Sequence, residues 1–111
     1  LHLYRVMSNV YVNAKQVPTT SEAVLYTCGP FKTAIVKSLL VCNSNNSSAR
    51  LLTVILSGSS EFTIFDVKSI ASGSTVELLT APLVLQADEA LKISADAATD
   101  LAVVASILEI G

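Results

Sequence analysis

Short runs of aliphatic and β-branched residues recur along the chain, separated by clusters of Gly, Pro, Ser and Asn. Runs of that length, bounded by turn formers, read as strands of an all-β sandwich or barrel. The pattern predicts strands over residues 22–28 (EAVLYTC), 34–42 (AIVKSLLVC), 49–56 (ARLLTVIL), 61–70 (EFTIFDVKSI), 75–79 (TVELL), 83–85 (LVL), 90–94 (ALKIS) and 101–110 (LAVVASILEI). Between them stand Gly29-Pro30, the polar stretch Asn43 to Ser48, Ser57-Gly58-Ser59-Ser60, Ala71 to Ser74 and the tip Asp96 to Asp100. These residue types take turn conformations or hydrogen-bond their own backbone. Alternation fails near Asp66, which predicts a bulge there. Pro82 sits where a strand can begin. No segment carries a 3.6-residue apolar period, even the alanine-containing stretch 95–105.

Residues 1–13 (LHLYRVMSNVYVN) read as an extended arm or as one or two short strands, and Val17 to Ser21 as a linker punctuated by Pro18. The expected organisation is an N-terminal arm and linker over 1–21 and a β-sandwich domain over 22–111. The fold class is all-β: an antiparallel, jelly-roll-like sandwich of about eight strands. The arm is expected to be dispensable for the fold and free to add a strand to a neighbour's sheet.

A strand in an isolated sandwich alternates apolar and polar positions. Several runs here do not. Leu51-Leu52 and Val54-Ile55-Leu56 load both faces, as do Leu39-Leu40-Val41, Val103-Val104 and Ile107-Leu108. One face fills the core, and the other needs a cover, either a terminal arm or a partner. The interface candidates are Leu3, Tyr4, Val6, Val10, Tyr11 and Val12 in the arm, with Leu52, Val54 and Leu56 in the most apolar strand.

Composition narrows the classes. The chain has 111 residues, enough for one domain. Charged residues make up 14%, the apolar fraction is 51%, and the net charge is -2. Disorder needs the opposite balance. Seven cations, scattered and outnumbered by nine acids, do not make a nucleic-acid-binding patch. No apolar run approaches the roughly 18 residues of a membrane helix. Aromatics at 5% cannot build the girdles of a membrane barrel. Residues 1–7 show no apolar core of a secretory leader.

Candidate chemistry is sparse. Cys28 and Cys42 close consecutive predicted strands; in a hairpin around Gly29-Pro30 they would lie at opposite ends, as free thiols. A nucleophilic cysteine needs a histidine, and His2 is the only one. Asp88, Glu89, Asp96 and Asp100 offer oxygen ligands without the glycine spacing of a calcium loop, so solvated loop carboxylates are expected. Asp66 and Glu77 can be nominated as a glycosidase pair, but any chain with nine acids offers such pairs, and solubility on apolar strands is the expected role. Tyr4, Tyr11 and Tyr26 suggest a sugar platform, yet the chain has no Trp. Asn45 and Asn46 each begin an Asn-x-Ser sequon. No phosphate loop, dinucleotide motif or serine elbow is present. Neither a catalytic set nor a metal or cofactor site is expected.

One pattern of segments is more telling. Leu25-Tyr26-Thr27, Gly29 to Ser38 (GPFKTAIVKS) and Val41-Cys42-Asn43 are followed by Ser69 to Leu78 (SIASGSTVEL) and Pro82 to Ile93 (PLVLQADEALKI). This series resembles small virion proteins of tailed bacteriophages, over about residues 24–110. The sequence departs from that pattern at Asp88-Glu89, where Gly-Asp is expected, and at Gly29-Pro30-Phe31. The resemblance implies a non-enzymatic β-sandwich, made in the bacterial cytoplasm and built into the virion as a capsid decoration, cement, neck or tail-associated protein. Its implied partners are other copies of itself, a trimer among the closed forms, and major capsid or neck and tail proteins. Nucleic acid and membrane are not among them. The competing reading is a receptor- or glycan-binding module of a tail fibre.

Overall fold

The computed structural model describes residues 8–111. Nine strands follow in chain order: β1 (Asn9–Gln16), β2 (Ala23–Thr27), β3 (Thr33–Asn43), β4 (Arg50–Ser57), β5 (Glu61–Ile70), β6 (Thr75–Glu77), β7 (Leu83–Leu85), β8 (Ala90–Ala95) and β9 (Leu101–Ile110). No helix occurs among the described residues.

The strands form two antiparallel sheets. The first runs β1-β9-β3, with β6 and β7 paired to successive parts of β3. The second runs β2-β8-β4-β5. The pairing is nested: β1 with β9, β2 with β8, β3 with β6 and β7, β4 with β5. The ribbon so formed is rolled, with β3 against β9 and β4 against β8 closing the two sheets. That is a jelly roll. The eight strands expected are β2 to β9, and β1 is the ninth, in the segment read as arm and linker.

The alternating positions of β9 show how the core is filled. Leu101, Val103, Ala105 and Ile107 are buried, whereas Ala102, Val104 and Ser106 are exposed. Their inward partners include Val36, Leu39 and Val41 on β3, Leu52 and Val54 on β4, and Leu91 and Ile93 on β8. Burying such side chains is worth about 1.5–3 kcal/mol each in gross terms.

Two expectations are corrected. Residues 9–16 are not a free arm: β1 pairs with β9 at every position from Asn9↔Ile110 to Gln16↔Val103. Val12 and Ala14 pack against the core, and Pro18 is buried in the connection that follows. The sandwich therefore takes in part of the segment assigned to arm and linker. Secondly, β2 and β3 are not a hairpin. The Gly29-Pro30 loop carries the chain from the second sheet to the first, because β2 finds its partner in β8 and β3 in β9. Cys28 is nonetheless remote from Cys42 along the sandwich, and both thiols are free.

The bulge expected near Asp66 is present. Two register shifts interrupt the β4–β5 pairing, and Val67 adopts φ 42° with its N–H donated to Thr53 Oγ1 at 3.2 Å. Asp88 has φ 68°. Asp is among the few residues that enter this left-handed region readily, so the turn keeps a glycine-like backbone without glycine.

Candidate interaction surface

The register pairs place side chains of the first sheet in rows across its outer face. Near the end that holds residue 110, Tyr11, Leu108, Ile35 and Val84 form one row, each opposite the next on β1, β9, β3 and β7. The next row is polar, Asn13, Ser106 and Ser38. Beyond it come Lys15, Val104, Leu40 and Glu77 on β1, β9, β3 and β6. Ala102 and Cys42 then lead to Thr75. Tyr11 is 73% exposed, Val84 50%, Leu40 41% and Val104 36%. A sheet face with one apolar row, and two further aliphatic side chains between charges, open to water is an unusual surface for a monomer. The second sheet also exposes apolar side chains, Val24, Phe62 and Val67, but on its two edge strands rather than in a row across the face. Lys92 there lies 3.6 Å from Glu22 and 3.4 Å from Glu61.

The interface candidates from the sequence divide. Tyr11 lies on the outer face, and Val10 is exposed beside it on the same edge strand. Val12 turns inward and packs on the core. Leu52 and Val54 are fully buried and cannot meet a partner. They are corrected to core residues, because β4 is held between β8 and β5 with these positions turned inward on the same side as Leu91, Ile93 and Ile70. Leu56 is half-buried against the same core. Leu3, Tyr4 and Val6 lie outside the described residues. Sequence reasoning missed Leu40, Val84 and the charges Lys15 and Glu77; the Leu39-Leu40-Val41 run was the signal for the first of them.

Glu77 is anchored to the sheet. Its carboxylate accepts from Ser38 Oγ, from Leu39 N at 2.7 Å and from Leu79 N at 3.2 Å. Leu39 lies just past the β3 bulge between Val36 and Ser38, where the ladder is interrupted. Partial burial opposes the charge, but these hydrogen bonds outweigh it and hold the carboxyl below the usual glutamate range.

The other nominated groups do not converge. Asp88 and Glu89 lie at one end of β8, and Asp96 and Asp100 beyond the other, about 20 Å along the strand. Asp100 is committed to Arg50 Nε at 2.6 Å and Asn45 Nδ2 at 3.2 Å, which keeps its carboxyl below the usual range. Asp96 accepts from Leu51 N at 2.9 Å. Asp66 and Glu77 sit on different sheets. Tyr11 and Tyr26 do not share a platform. A bulge between Val24 and Tyr26 turns Tyr26 inward, opposite Leu91, where its hydroxyl donates to Glu109. Burial first, then that bond, raise the tyrosine's pKa above its ordinary value. A concavity of about 530 Å³ between Ser57–Ser59 and Gln86–Ala90 holds only the acids Asp88 and Glu89, and Glu89 already accepts from Gln86 N at 2.7 Å. No group of three His, Cys, Asp or Glu able to hold a metal is found among the described residues. His2 lies outside them.

No family model matches the sequence, and no curated protein does. Among solved structures, the fold is similar to a chain in the structure of infectious bursal disease virus, Gx strain. The TM-score is 0.52 at 8% identity, over 96% of this chain and 33% of that one. This chain thus spans about a third of that protein's length. The likeness is one of fold.

Proposed function

We propose that this protein is a non-enzymatic structural component of a virion, acting through symmetric protein–protein contacts. The observation that carries the reading is a complete jelly roll whose first sheet turns an apolar outer face to water. The fold likeness to a chain from a virus particle supports it. Four of the acids nominated for chemistry, Glu77, Glu89, Asp96 and Asp100, hold loops and bulges together. The regular edge strand β1 adds a second contact surface, because its other three counterparts are bulged or interrupted. Register shifts break β2 and β5, and β6 and β7 are separate. Bulges and breaks protect sheet edges from pairing, and β1 has only Lys15 for that purpose.

The finer reading is a decoration, cement or head–tail-associated protein of a tailed bacteriophage, with copies of itself and of the shell or neck proteins as partners. Its mechanism is burial of apolar sheet surface between copies, at about 25 cal/mol per Å² before association costs. An antibody raised against the purified chain should label intact particles of the phage that encodes it, on the head, neck or tail. Particles that carry no label, and no copy of the chain by mass spectrometry, would overturn the assignment. Label confined to fibre tips, with glycan binding by the purified chain, would favour the receptor-binding reading instead.

A further inference from the structure

The outer face of the first sheet carries a pattern that is complementary to itself. Its third row reads Lys15, Val104, Leu40, Glu77: a cation at one edge, two aliphatic residues, and an anion at the other edge. Lys15 and Glu77 are three strand spacings apart, about 14 Å, too far to pair within the chain. Lys15 has no ion-pair partner among the described residues.

A twofold axis parallel to the strands and lying in the plane of contact reverses the order of the strands. It sets β1 of one copy over β6 and β7 of the other, and β9 over β3. Lys15 then stands over the second copy's anion and Val104 over its Leu40, each contact occurring twice, as an isologous pair requires. In the first row the same operation sets Tyr11 over Val84 and Leu108 over Ile35, apolar on apolar. Two sheet faces pack in this aligned way at about 10 Å with a twist near 30°.

We infer that a second copy of this chain docks on the outer face of the first sheet, face to face, with Lys15 and Glu77 exchanged across a twofold axis. This rests on the symmetric-contact reading proposed above and names its surface. Four strands by about eight residues give a face on the order of 500 Å² in plan, below the roughly 800 Å² per partner of a standard interface. The pair is therefore weak in dilute solution and suited to repetition in a particle. Lys37, exposed at the β3 bulge, has no carboxylate opposite it and carries its charge outward along its aliphatic stem.

The test uses two variants that keep the fold. Val104→Glu places an acid beside Lys15 in its own row, and Leu40→Lys places a cation beside Glu77, so each gains a neighbour of opposite charge within the chain. Between identical copies, each sets a charge over an aliphatic residue and near its own image. Sedimentation equilibrium from about micromolar to about millimolar protein should show the wild type pairing and each variant alone weakened by at least about tenfold. An equimolar mixture of Val104→Glu and Leu40→Lys should recover the pair, because the carboxylate introduced on β9 of one copy meets the ammonium introduced on β3 of the other. Circular dichroism confirms that both variants are folded. A wild type that stays monomeric throughout, a mixture that fails to recover, or an oligomer insensitive to both changes overturns the proposal. The last outcome leaves the symmetric-contact reading standing on another surface, and particle labelling tests that reading separately.

Discussion

At the scale of single residues, the most consequential side chain is Asn43, a polar residue with no exposed surface. It closes β3, and its amide ties three segments together. Nδ2 donates to Ser48 O at 3.0 Å and Ile70 O at 2.9 Å, and Oδ1 accepts from Asn45 N at 2.9 Å. A buried amide with its partners satisfied stabilises; the same carbonyls left without a donor do not. Asn43→Ala should lower stability by about 2–3 kcal/mol, read as a fall in the urea midpoint with an unchanged slope. Asn43→Leu should do no better, since its added apolar bulk restores neither donor. A loss below about 0.5 kcal/mol would mean that water replaces the amide, and the loop lock would have to be abandoned. Val67 works in the other direction. A β-branched residue at φ 42° stores strain in the β5 bulge.

At the scale of elements, the β3 bulge and β6 depend on each other through Glu77. β6 contributes only three residues to the ladder, and the carboxylate of its last one caps the N–H of Leu39. The folded-state pKa lies below the unfolded value, so the unfolded chain binds the proton more readily. The stability from Glu77 is complete above the unfolded pKa, about 4.3, and is lost as pH falls through the lower folded pKa. Asp100, held by Arg50 and Asn45, titrates with the same sign. Glu77→Gln keeps an acceptor but removes the charge. At neutral pH it should cost less than about 1 kcal/mol, since the group is largely exposed and screened. The difference from the wild type should begin to shrink as pH falls past the unfolded pKa and vanish only below the lower folded one, Asp100 contributing acid sensitivity of the same sign in both proteins. Urea midpoints measured along a pH series decide this, and parallel curves for the two proteins would remove Glu77 from the acid response. The elements differ in how plainly the sequence announces them. β5 gives away its bulge because its alternation fails, and the Ser57 to Ser60 hairpin and the Gly73 turn are written in turn formers. β4 misleads. With aliphatic residues at Leu51, Leu52, Val54, Ile55 and Leu56, no local pattern says which phase faces in. The choice is made by pairing with β8, whose Leu91 and Ile93 are inward. The docking face is half legible for the same reason: Leu40 and Val104 are visible as excess apolar residues, but the row that joins Lys15 to Glu77 exists only through register.

At the scale of the whole molecule, the decisive contacts are remote in sequence. β1 and β9 lie at opposite ends of the described chain, yet they pair over eight positions without a shift. In isolation β1 reads as an arm, since Val10, Tyr11 and Val12 are consecutive and obscure the period of two. Its place is set by β9, which would otherwise present an open edge, with Ile107 and Ala105 losing the cover of Val12 and Ala14. A chain beginning after Gln16 therefore should not behave as a sandwich relieved of a tail. It loses the edge strand, exposes part of the core seam and leaves β9 free to pair with another chain. The expected result is a fall in unfolding free energy of at least about 3 kcal/mol, with aggregation on heating, against a typical total of roughly 5–15 kcal/mol. Urea unfolding followed by tyrosine fluorescence, with light scattering alongside, makes the measurement. A truncated chain with the midpoint of the full one would return β1 to the status of a dispensable arm. It would also dissolve the proposed docking row, because Lys15 can face its counterpart across a twofold only if β1 is held rigidly beside β9.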